Sequence, residues 1–84
     1  MGIMETIYLD DFLDNGILKE KYFRQLISET DWSKYKGKRV LIKGCASTPI
    51  PTWAYLIITA ELAQNAKRIM YGDKSSIVKI YKRN

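Results

Sequence analysis

This sequence predicts an α/β domain: a small mixed sheet with two helices, in the order β-α-β-α-β-β. Three observations predict it. The stretch from Arg39 to Asp73, RVLIKGCASTPIPTWAYLIITAELAQNAKRIMYGD, reads as strand, loop, helix and strand. The segment from Lys19 to Thr30 carries the apolar period of an amphipathic helix. Short apolar runs at Ile7–Leu9 and Ile77–Tyr81 supply a strand at each end. A strand, a crossover helix and a strand of this length form a right-handed parallel unit when the strands share a sheet. Eighty-four residues make one domain, spanning 1–84.

The elements follow in order. Ile7, Tyr8 and Leu9 make a short strand, and Asp14-Asn15-Gly16 is a turn, since Asn and Gly tolerate positive φ. In the first helix, Tyr22, Phe23, Leu26 and Ile27 fall on one stripe. Lys19, Lys21, Arg24, Gln25, Ser28 and Glu29 fall on the other. Asp31 to Lys38 is a polar connection punctuated by Asp31 and Gly37, with Trp32 pinning the end of the helix to the core. Val40, Leu41 and Ile42 are a buried strand. The prolines at 49 and 51 stiffen the following loop and delay the second helix, which runs from Pro51 or Thr52 to Ala66. Ile69, Met70 and Tyr71 form the next strand, Gly72-Asp73 turns out of it, and Ile77 to Tyr81 is the last strand before a basic tail.

Composition removes several function classes. Cys45 is the only cysteine and there is no histidine, so this chain alone makes neither an internal disulfide nor a four-ligand zinc site. No metal and no cofactor is expected. One unpaired thiol and an N-terminus that is acidic and has no long apolar core point to the cytoplasm. The longest uncharged apolar run, Trp53 to Ala60, is far short of the roughly 20 residues of a membrane span. Fourteen Lys and Arg against nine Asp and Glu give a net charge of +5, with the excess late in the chain. That suits either an anionic partner or a solvated surface. Nucleic acid is the weaker partner, because strand tyrosines such as Tyr71 and Tyr81 serve more often as half-buried filler than as stacking platforms.

The loop after the first strand of the parallel unit is the candidate site: Gly44, Cys45, Ser47, Thr48 and Thr52. In such units chemistry gathers where a strand ends and a helix begins. Gly44 permits a close backbone approach. The three hydroxyls stand beside a helix N-terminus, whose amides and dipole favour an anion, and one of them, Thr52 above all, is also the natural N-cap. Cys45 reads as a small buried hydrophobe, or as a thiol made reactive by the helix terminus with Lys43 and Arg39 near it in sequence. Catalytic patterns are missing. Position 51, six residues after Cys45, is proline rather than the arginine of a phosphatase loop, and no Cys–His pair, Walker loop or G-x-G-x-x-G run exists.

The second helix is apolar on more than one side. Trp53, Leu56, Ile57 and Ala60 occupy one face, and Ala54, Ile58 and Leu62 another. A helix covering one sheet needs a single stripe. Leaving the surplus exposed forgoes roughly 1.5–3 kcal/mol per large side chain. Either the chain's own first helix or its Trp32–Tyr35 connection covers it, or a second copy does, or a different partner does, and the homodimer reading places Tyr55, Ile58, Thr59 and Leu62 at the interface.

DWSKYKGK, IPTWAY, IKGC, IMYGD and the terminal YKR together resemble an uncharacterised bacterial family, a domain of unknown function. Its usual members are about twice this length and consist of two related halves. The resemblance covers most of the chain from Ile17 onward and implies a small cytoplasmic α/β protein with no assigned activity. It also implies iron–sulfur assembly proteins as partners. This chain departs from the family at Ser75, where a second cysteine is usual, and at Lys74 and Lys79, where prolines are common. A two-cysteine redox or metal role therefore does not fit a lone chain, although a dimer would bring two copies of Cys45 together. If longer relatives are two fused halves, a single unit pairs with itself to rebuild the whole. The expectation from the sequence is a non-enzymatic binding module, dimeric, with an anion-favouring loop. The alternatives are a thiol carrier using Cys45 and a basic nucleic-acid binder.

Overall fold

Val40 and Ile42 turn to one side of their strand and Leu41 to the other, and this alternation organises the molecule. A computed structural model of the chain describes residues 4–44, 47–73 and 76–84. The elements are β1 (Met4–Tyr8), α1 (Glu20–Glu29), β2 (Arg39–Lys43), α2 (Thr52–Leu62), β3 (Arg68–Asp73) and β4 (Ser76–Lys82), with single 3-10 turns at Leu9–Phe12 and Trp32–Tyr35. The strands form one sheet in the order β1-β2-β3-β4. β1, β2 and β3 are parallel, and β4 returns antiparallel to β3. The predicted element order and mixed sheet are therefore present, with a second parallel pair, β1 with β2, besides the anticipated one.

Consecutive parallel strands laid side by side, each joined by a right-handed crossover, put both helices on the same face. The core shows this. Phe23 and Ile27 of α1 and Ala54, Ile58 and Leu62 of α2 form one buried cluster with Ile7, Val40, Ile42 and Ile69 of the sheet. Phe23 links the helices, its ring edge-on to Trp53 at 5.7 Å between centroids. Of the stripe expected on α1, Phe23 and Ile27 are buried, Leu26 is half-buried, and Tyr22 sits at the margin, exposed.

Local signals behave as their chemistry requires. Asn15 and Gly16 both take positive φ, 53° and 77°, and close the turn between Asp14 and Ile17. Trp32 is buried, and its Nε1 donates to the Ile27 carbonyl at 2.9 Å, fastening the end of α1. Asp31 accepts from the Ser33 amide at 3.1 Å and from the Ser33 hydroxyl, so it caps the 3-10 turn. These two bonds hold its carboxyl below the usual aspartate range.

α2 ends at Leu62, one turn earlier than the sequence suggested. The carbonyls just past its end are met from far along the chain. Arg83 donates from Nε to Ala66 O at 3.3 Å and from its terminal guanidinium nitrogen to Ala63 O, while its backbone amide donates to Lys67 O at 2.8 Å. A cation at a helix C-terminus also complements the macrodipole. The basic tail is thus in part a structural cap.

The two faces of α2 are also settled. Ala54, Ile58 and Leu62 are fully buried within one chain. Thr52, Leu56 and Ala60 form the outward stripe, and Leu56 is 65% exposed. This corrects the assignment of Ile58 and Leu62 to an interface: both are already fully buried within one chain, in the cluster that holds the sheet and α1 residues. Tyr55 and Thr59 are half-buried. The Tyr55 ring stands edge-on to Tyr71 at 5.0 Å, and the Thr59 hydroxyl donates to Tyr55 O at 2.7 Å.

Candidate functional site

The loop before α2 holds the residues singled out from the sequence. Cys45 lies outside the described residues. Gly44 is exposed, and a methyl group placed on it would run into the Tyr55 hydroxyl. The close approach that Gly44 permits is therefore taken up by the chain's own tyrosine. The Thr48 hydroxyl donates to Gly16 O at 3.0 Å, tying this loop to the Asn15–Gly16 turn. Ser47 is exposed. Thr52 does not cap the helix: Pro51 occupies the N-cap, at φ −59° and ψ 143°, with no side-chain bond to the first turn. Proline fixes this extended entry by its ring, which replaces the hydroxyl cap expected at Thr52. Thr52 is instead the first helical residue, and exposed. The structure thus brings Gly44 and Tyr55 together and draws Thr48 towards Gly16.

A second feature lies on the other side of the sheet, which neither helix covers. Strand register lines its residues up in rows. Met4, Arg39, Arg68 and Lys82 stand opposite one another across all four strands, and Thr6, Leu41, Met70 and Lys79 form the next row. Tyr8 stands opposite Lys43, whose Nζ lies 5.6 Å from the centroid of its ring. Leu41 is only 8% exposed although no helix lies over it. Its neighbours on this face are Arg39 and Lys43 along the strand and Thr6 and Met70 across it, and long cationic side chains shield apolar surface with their stems.

A slip in register between Ile69 and Met70 leaves Ile80 as the extra residue of β4. Beside this bulge is a groove of about 330 Å³, lined by Arg68, Met70, Lys79, Ile80 and Lys82 together with the strand at Ile69 and Tyr81. The Arg68 Nε is buried and has no hydrogen-bond partner. Among the described residues, no ion pair joins Arg68, Lys79 or Lys82 to a carboxylate. Ile77 and Ile80 are about half exposed.

This face was missed in the sequence reading, although a signal for it exists. Arg39, Leu41 and Lys43 recur at period two, as do Arg68 and Met70, which marks one side of each strand as mixed cationic and apolar. Reading it required knowing that both helices sit on the opposite side. Among the described residues, no helix is long and apolar enough to cross a membrane. No curated protein and no solved structure matches the chain. Residues 12–83 do match the model of a family described as protein of unknown function (DUF2480), and the chain belongs to that family.

Proposed function

We propose that this protein is a cytoplasmic, non-enzymatic binding module that meets its partner through the helix-free face of its sheet. The observation that carries this reading is the composition of that face. Arg39, Lys43, Arg68, Lys79 and Lys82 interleave there with Met4, Leu41, Met70 and Ile77, and among the described residues no carboxylate stands in those rows. A solvated sheet face normally mixes both signs of charge, whereas a binding face carries one sign and retains apolar area. A photo-crosslinking residue placed at Ile77, compared with one at Leu56, tests this in the native host. A discrete adduct from position 77 and none from position 56 supports the sheet face. Adducts from position 56 alone refute it.

A second reading rests on Leu56. Its 65% exposure, in a stripe with Thr52 and Ala60, gives α2 an uncharged outer surface suited to a second copy of the chain. The homodimer proposed from the sequence then keeps α2 but changes residues, from Ile58 and Leu62 to Leu56 and Ala60. Sedimentation of the wild type and Leu56→Glu decides it: a wild-type monomer at micromolar concentration ends the idea. The loop of Gly44, Ser47, Thr48 and Thr52 keeps its place as an anion-favouring position through the exposed start of α2.

A further inference from the structure

Resting on that reading, we infer that the groove between β3 and β4 seats an extended segment of a partner protein in which acidic and apolar residues take turns at every second position, along the one face that it lays on the sheet. Its carboxylates would lie against Arg68, Lys79 and Lys82, and its apolar side chains against Met70 and Ile80.

One placement in the sheet is unfavourable on its own. Arg68 stands directly opposite Lys82. Directly opposed residues hold their Cβ atoms about 5 Å apart, and like charges there destabilise a sheet. A carboxylate laid between them offsets the repulsion and supplies charge-assisted hydrogen bonds. Among the described residues the buried Arg68 Nε has no acceptor, so the chain itself leaves this guanidinium, in a side chain that lines the groove, incompletely satisfied.

Lysines on an edge strand also have a protective use, since they deter pairing with other chains. That explains Lys79 and Lys82 on β4. It does not explain Arg68, which lies on the interior strand β3 between two paired neighbours. The apolar share of the groove favours polypeptide. Arg68 and Met70 stand two positions apart on β3 and so share one side of the strand, the period at which an extended segment repeats its side chains on one face. A volume of about 330 Å³ accepts a few side chains of one segment rather than a folded domain.

Two other occupants fit less well. A second copy laid face to face would set cations against cations, on a chain whose net charge is already +5. A nucleic acid needs aromatic platforms beside the charges. Tyr8 is the aromatic residue in these rows, and it stands on β1, at the opposite edge of the sheet from the groove.

The test is a titration of the isotope-labelled full chain, followed by amide shifts, with a peptide as long as β4 in which glutamate and valine take turns at every second position and serine fills the positions between. The comparison probes are its lysine counterpart and a single-stranded oligonucleotide. The expected result is shifts along β3 and β4 with the glutamate peptide alone, and affinity at least about tenfold weaker in Arg68→Gln and in Lys82→Glu. The doubly reversed Lys79→Glu, Lys82→Glu chain, altered only at exposed positions, should take up the lysine peptide instead. Shifts on the sheet face that none of these variants changes would overturn the groove while leaving the binding-module reading in place. Shifts confined to α2 would overturn both. Binding of the oligonucleotide in place of the peptide, or concentration-dependent shifts on this face without any probe, would overturn the proposal in favour of nucleic acid or of a second copy. No shift with any probe would also overturn it.

Discussion

Truncating Ile58 and Leu56 to alanine, side by side, measures which face of α2 is core. The two residues are neighbours on a helix that is apolar all round, yet Ile58 is fully buried and Leu56 is 65% exposed. Ile58→Ala removes atoms packed among α1, β2 and β3 and leaves a cavity that its rigid neighbours fill only in part. Such truncations cost about 2–5 kcal/mol. A chain of this length is stable by about 4–13 kcal/mol, at 0.05–0.15 kcal/mol per residue. The variant therefore loses between a sixth of its stability and all of it. Leu56→Ala removes atoms that mostly face water and improves helix propensity, so its effect stays within about 0.5 kcal/mol. Urea unfolding, with the slope checked for constancy, reads both numbers. Equal losses, or an Ile58→Ala cost below about 1 kcal/mol, would refute the assignment of the two faces. A large Leu56→Ala loss that grows with protein concentration would instead reveal a second copy over that stripe.

Four further outcomes follow from particular contacts. Lys82→Glu replaces a repulsive partner of Arg68 with an attractive one and should stabilise the chain by about 0.5–1 kcal/mol at low salt, raising Tm by several degrees, with the gain shrinking as salt is added. Arg83→Ala removes both side-chain bonds to the end of α2 and should cost about 1–2 kcal/mol in chemical denaturation, of which Arg83→Lys recovers only part because an ammonium cannot span both carbonyls. Gly72 has φ +140°, and a methyl group there would meet the Ser76 backbone carbonyl, so Gly72→Ala should cost about 1–3 kcal/mol and show it as weakened exchange protection in β3 and β4. Asp31 has its folded pKa lowered, chiefly by the Ser33 hydroxyl. Its contribution is full above the unfolded value and is lost as pH falls through the folded one, so the stability gap between the wild type and Asp31→Ala should close on acidification.

Element order was legible because punctuation and period agreed. Asn15-Gly16, Asp31, Gly37 and the two prolines mark ends, and α1 has a clean polar side. α2 offered no such guide. Between Trp53 and Leu62 only Glu61 is charged, so periodicity alone did not say which of two apolar stripes faces the sheet. That choice is tertiary: it depends on Phe23, thirty positions earlier, lying beside Trp53. The candidate loop was illegible for a related reason. The Thr48 hydroxyl is spent on Gly16 and the space over Gly44 on Tyr55, and neither contact has a local sequence signature. Arg83 reads only as part of a basic tail because the carbonyls it serves, at 63 and 66, lie two strands earlier in the chain.

The helix-free face is a consequence of topology rather than an accident of packing. Each step from β1 to β2 to β3 moves in the same direction across the sheet, and each crossover is right-handed, so both helices must land on one side. A doubly wound sheet avoids this by reversing direction and placing helices on both sides. Here no reversal occurs, and β4 extends the sheet without adding a helix. The chain must then make its second face tolerate water, and alternating polar residues of both signs would do so at little cost. It carries instead a buried Leu41, half-exposed isoleucines and a row in which Arg68 and Lys82 stand directly opposite each other. Solubility alone calls for none of these, and together they match the chemistry of a surface built to be covered by something negative and partly apolar.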